Sequence, residues 1–198
     1  MRYDVTFLNL RPHVQPRAIE TLQGVLPGSP GLLACWYAEI GALNRIMIIR
    51  DAAAAGSGAD KLLKEENPFG LADALESIES DTFASFPYVP AMKAGAHGPF
   101  FEVRTYLLKA GTLPGTLTRW EKALPERLKR SPILTATHSV TGVVPRFMHI
   151  WPYKTLNDRQ SIRGAAVADK IWPPPGGGES LASMKSEIYL PAAFSPIK

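Results

Sequence analysis

This sequence is poor in several features, and each shortage excludes a class of function. It holds one cysteine, Cys35. A single thiol cannot close an internal disulfide, and without companions it does not begin a zinc site. Cys35 lies in the apolar run 31–39, where a thiol is expected to be buried and inert. The four histidines, His13, His97, His138 and His149, show no ligand spacing, so no metal is expected. The 22 Lys and Arg residues are scattered, with no basic run or arm, which argues against nucleic acid as a partner. The net charge of +4 suits acidic small molecules at least as well. No apolar stretch approaches the roughly 20 residues that span a bilayer. The opening Met1-Arg2-Tyr3-Asp4-Val5 has no apolar signal core, so a cytoplasmic protein without a membrane span is expected. Gly176-Gly177-Gly178 follows three prolines instead of a strand, so it is not a nucleotide-binding turn. No Gly-x-Ser-x-Gly elbow occurs, and no cofactor is expected.

What is present is order at two scales. Residues 101–109 alternate as a strand should: Val103, Thr105 and Leu107 face one way, and Glu102, Arg104 and Tyr106 face the other. The same stretch repeats the start of the chain, with Tyr3-Asp4-Val5 matching Phe101-Glu102-Val103. The repeat is clearest at a hairpin. Residues 41–50 align without a gap on 142–151, so Arg45 matches Arg146, Met47 matches Met148 and Ile49 matches Ile150. The spacing predicts strand, helix, strand, strand, helix, strand, twice, with strands near 2–10, 31–39, 45–49 and 77–86 in the first copy. Helices are expected over 16–26 and 61–66. In the second copy, strands are expected over 101–109, 134–140, 146–151 and 181–190, and helices over 112–129 and 155–171. A period of roughly 100 residues implies domain duplication, not a solenoid. Residues 1–90 read as the first ferredoxin-like repeat, 99–198 as the second, and the proline-rich 87–99 as a linker. This is an α+β fold of tandem ferredoxin-like repeats. Their antiparallel sheets carry helices on one face and need cover on the other.

Several stretches of the second copy resemble a known family. Phe101-Glu102-Val103-Arg104-Thr105-Tyr106 resembles the Tyr-Glu-Leu-Arg-Thr-Tyr opening of the NIPSNAP family. His149-Ile150-Trp151-Pro152-Tyr153 resembles its second signature; Arg159, Arg163, Trp172 and the ending 191–196 fit the same pattern. The first copy fits as a worn version, with Ile48 and Arg50 where the second has His149 and Trp151. The resemblance implies a dimeric α+β barrel, in which two sheets face each other around a closed barrel, and with it a homodimer. Whether one chain or two supply the sheets stays open. The resemblance implies no settled activity.

Within that frame, Glu102, Arg104 and Tyr106 are expected to face the barrel interior, with Phe101 and Val103 turned to the helices. Phe147, His149 and Trp151 share a face of their strand. Arg104, Tyr106, His149 and Trp151 are the candidate ligand-binding residues. Arg104 offers a planar fork for an anion, His149 a group that titrates near neutrality, and Tyr106 and Trp151 an aromatic wall. Each also has a structural reading: Arg104 paired with Glu102, His149 as a satisfied core histidine, and Trp120 and Trp151 as packing. Arg159 and Arg163, four apart on a helix, suit a solvated or salt-bridged face. The first expectation is a protein that binds a small hydrophobic or aromatic ligand in the barrel, without assigned catalysis. Alternatives are a cofactor-free or haem-handling monooxygenase, and a protein–protein interaction module whose barrel is filled.

Overall fold

In the computed structural model, residues 1–56, 62 and 64–198 are described. The first half builds β1 (Arg2–Leu10), α1 (Gln15–Val25), β2 (Leu32–Ile40), β3 (Arg45–Asp51), the single-turn α2 (Ala52–Ala55) and β4 (Leu75–Ser85). The second builds β5 (Phe100–Leu108), α3 (Leu113–Leu128), β6 (Thr135–Ser139), β7 (Arg146–Tyr153), α4 (Leu156–Ala168) and β8 (Leu181–Pro191). Of the helix expected over 61–66, residues 61 and 63 lie outside the described residues.

The eight strands close one antiparallel barrel in the order β1-β3-β2-β8-β5-β7-β6-β4. Cut at its two joins, it gives β4-β1-β3-β2 and β8-β5-β7-β6, the same ferredoxin-like order twice. The joins are β2 with β8, through pairs such as Tyr37 with Leu190, and β4 with β6, through Phe83 with Ser139 to Ser85 with Thr137. Closure therefore occurs within one chain, and no sheet edge is left open. The two hairpins that align in sequence also share a turn device. Gly41 and Gly142 both take positive φ, at +118° and +66°. A Cβ on Gly41 would lie 2.6 Å from the Glu187 Cγ, and one on Gly142 would collide with the Asp81 carboxylate.

A buried, mostly apolar cluster occupies the barrel interior. Tyr3, Trp36, Phe83, Phe101, Met148 and Tyr189, from six different strands, form one buried cluster. Trp36 stacks on Phe101 with ring centroids 4.0 Å apart. The chain's last residues are not a free tail. Ile197 is buried in this cluster, and its carbonyl accepts a hydrogen bond from the Trp36 indole at 2.9 Å. The segment between β4 and β5 also packs, sending Met92 into the same cluster. Outside the wall, α1 lays Ala18 and Leu22 over Leu8, Cys35, Ile46 and Ile48. On the other side, α3 lays Trp120 and Leu124 over Phe147 and Trp151.

This corrects the facing expected for β5. Phe101 and Val103 point into the barrel, while Tyr106 and its neighbours on the alternate face lie under the helices. Both faces of the sheet are covered, so apolarity alone does not mark the helix side. The interior takes large, mostly apolar side chains. The helix side has a rim that water reaches, and it tolerates the arginines.

Candidate functional site

β5 and β7 pair antiparallel with Glu102 opposite Trp151, Arg104 opposite His149 and Tyr106 opposite Phe147. Opposed residues share a face, so this register sets all six side chains side by side under the helices. α3 places Trp120 above them, with its ring 4.8 Å from His149. α4 brings Arg159 and Arg163. The loop after α4 returns Trp172 against Trp120, ring centroids 4.5 Å apart. Between wall, helices and loop lies a pocket of about 260 Å³. Arg104, Tyr106 and His149 line it; Trp151 does not, and stands buried behind His149. The expected site residues are thus brought together, but outside the barrel wall, not within the barrel.

Glu102 is fully buried and organises the charges. Its Oε1 accepts from Arg104 Nη1 at 2.7 Å, Arg159 Nη2 at 2.7 Å and Ser186 Oγ at 2.8 Å. Arg163 Nη1 approaches its Oε2 at 3.6 Å. Burial by itself pushes this carboxyl up, but the Arg159 hydrogen bond and the charges of Arg104 and Arg163 outweigh it, holding Glu102 below its ordinary range. Arg104 also donates to the Tyr106 hydroxyl through Nε. Burial raises the Tyr106 phenol, with the Arg104 charge opposing, so the hydroxyl keeps its proton.

His149 is 1% exposed. Burial, followed by the positive charges of Arg104, Arg163 and Arg127, drives it well below its ordinary value, so it is neutral at pH 7. Its tautomer follows from its partner. The Trp151 indole N–H can only donate, and it lies 2.6 Å from Nδ1. Nδ1 is therefore the acceptor and Nε2 carries the hydrogen. That Nε2–H is buried and has no hydrogen-bond partner among the described residues. Leaving such a donor unpaired costs on the order of 1–3 kcal/mol, a penalty that a bound acceptor would relieve.

Sequence reasoning missed Glu102, Arg119, Arg163, Trp120 and Trp172 as parts of the site. Arg159 and Arg163 were expected on a solvated or salt-bridged face; Arg159 pairs with the buried Glu102, and Arg163 approaches the same carboxylate and also lines the pocket. Spacing on α4 showed that the two share a face; it did not show what that face meets. The equivalent positions of the first half, Asp4, Thr6, Ile48 and Arg50, surround a space of only about 20 Å³. Among the described residues no cluster of His, Cys, Asp or Glu is arranged to hold a metal. Cys35, buried under α1, has its thiol pushed up to about 12 by burial.

Residues 101–196 match the NIPSNAP family model. A NipSnap homologue from Dictyostelium discoideum is 27% identical over 96% of this chain and 86% of its own length. A solved Agrobacterium tumefaciens protein of the family is 31% identical and aligned over 99% of its length and 50% of this chain, with a TM-score of 0.47. This chain belongs to the NIPSNAP family. The matched region holds the whole pocket lining, from Arg104 to Met184. A putative monooxygenase from Fusobacterium nucleatum, only 10% identical, superposes on 96% of this NIPSNAP chain with a TM-score of 0.67. That likeness concerns the fold. No helix among the described residues is long and apolar enough to cross a membrane.

Proposed function

We propose that this NIPSNAP protein binds a small hydrophobic or aromatic ligand in the pocket beneath α3 and α4, with Arg104, Tyr106 and His149 as contact residues. The observation that carries this is the buried, unpartnered Nε2–H of His149 among the residues that line an aromatic-walled cavity. Trp151 has a positioning part, since its indole fixes the imidazole tautomer. Apolar side chains at the rim support the same reading: Val167 and Met184 line the cavity and are 57% and 64% exposed. A homodimer belongs to the proposal only as contact between completed barrels, because each barrel closes within one chain.

The first experiment is native mass spectrometry with an absorption spectrum of freshly purified protein. A co-purifying mass, released on denaturation, is expected. Replacing Arg104 and His149 together, in a chain that still melts cooperatively, should abolish it; retention of the mass in that variant would end the proposal.

The monooxygenase alternative draws on the fold neighbour that carries that name. The imidazole does not favour it. A neutral His149 with Nε2 protonated donates a hydrogen bond there; to take up a proton or an iron ion at Nε2 it must first change tautomer and lose the Trp151 bond. An interaction module predicts a filled barrel, which agrees with the interior, but it gives no part to the cavity outside the wall.

A further inference from the structure

We infer that the ligand of this pocket carries a carboxylate, seated against Arg119 and Arg163, with its apolar body lying along the aromatic wall that Trp120 and Trp172 form together. The inference rests on the ligand-binding reading above and narrows it to a chemical class. Three guanidinium groups, of Arg104, Arg119 and Arg163, line the cavity, and no carboxylate does so among the described residues. Glu102 lies behind the lining, and its single charge is shared among Arg104, Arg159 and Arg163. Arg104 is committed, to Glu102 and to Tyr106. Arg163 is not, since its contact with Glu102 is 3.6 Å, longer than a hydrogen bond. Among the described residues Arg119 donates only to the neutral hydroxyls of Ser180 and Thr116, and its Nε is buried without a partner.

The remaining polar groups have the same sense. His149 presents Nε2–H, and Tyr106 accepts from Arg104 and so keeps its own hydrogen to give. The Thr116 hydroxyl hydrogen is spent on the Thr112 carbonyl. The pocket offers hydrogen-bond donors and uncompensated positive charge, and its other walls are apolar. A neutral hydrocarbon would leave those donors dry and unpaired, and a cation would meet like charge. An anion with two acceptor oxygens on a flat apolar body satisfies both parts. A planar guanidinium matches a carboxylate through two parallel N–H···O bonds.

Titration calorimetry with matched pairs tests this: cinnamate, naphthoate and octanoate, each against its primary amide. The acids are expected to bind at least tenfold more tightly than the amides. Arg163→Met should bring acid affinity down to that of the amide, and the amide's own binding then reports that the pocket is still folded. Equal affinity of acid and amide would overturn the carboxylate while leaving the pocket as a ligand site. Failure of every acid and every amide to bind would overturn both.

Discussion

Glu102 holds three guanidinium groups from a position with no access to water. Removing one member of such a network strands the others, which costs more than the network contributes when intact. Glu102→Gln is expected to destabilise the chain by about 3 kcal/mol, near the low end for buried pairs because the arginines keep some exposure. Urea denaturation would show it, and a loss under about 1 kcal/mol would mean that solvent already screens these charges. Two pH windows follow. His149 has a folded pKa below its unfolded one, so unfolding takes up a proton. The stability it gives is complete above roughly 6.5 and falls below that by about 1.4 kcal/mol per pH unit until the folded value is reached. Glu102 also has a lowered folded value, so its contribution is complete above roughly 4.3 and is lost as the pH falls further. His149→Gln should flatten the upper window and leave the lower one; an unaltered slope between pH 6 and 5 would place the proton elsewhere.

At the scale of elements, α4 decides whether Arg159 and Arg163 meet Glu102. Thr155 starts this helix by accepting from the Asp158 backbone N–H at 3.0 Å, and Asp158 sets an acid in the first turn. Arg159 follows at once, so fraying of that turn loosens its bond to Glu102. Thr155→Ala is expected to cost about 1 kcal/mol and to weaken ligand binding, although Thr155 does not line the pocket. A melt shows the first effect and titration the second; full affinity in the destabilised variant would mean that α4 is held by its packing alone. α3 is less dependent on a cap. It presses Trp120 and Leu124 onto the sheet, and the Arg127 guanidinium lies 4.2 Å over the Trp151 ring.

At the scale of the whole molecule, each ferredoxin-like half is the other's missing cover. Phe101 from one half stacks on Trp36 from the other, so neither half has a complete core alone. The intact chain should therefore unfold in one transition. A fragment of residues 99–198 would expose the outer edges of β6 and β8, which β4 and β2 otherwise occupy. Such a fragment is expected to pair with itself and close eight strands, giving a dimer by light scattering. A stable, well-folded monomer would show that the second half does not need the interior of the first.

The sequence by itself determined the strands, the doubled order and the family. Alternation, the aligned hairpins and the Phe101–Tyr106 stretch are local patterns, and local geometry is all they need. Alternation also set Arg104 with Tyr106 on one face of β5 and His149 with Trp151 on one face of β7, while the register that brings the two strands together is a matter of tertiary pairing. The sequence did not determine which face was inside. A strand buried on both sides carries no label for the drier one, and only closure of the barrel made Phe101 and Val103 its interior. Nor did it show that Arg163, Arg119 and Trp172, from α4, α3 and a proline-rich loop, converge on the pocket that His149 lines. Those contacts join elements far apart in the chain, and they exist only once the helices pack on the wall. The tertiary structure thus decided where the pocket lies and which charges it presents.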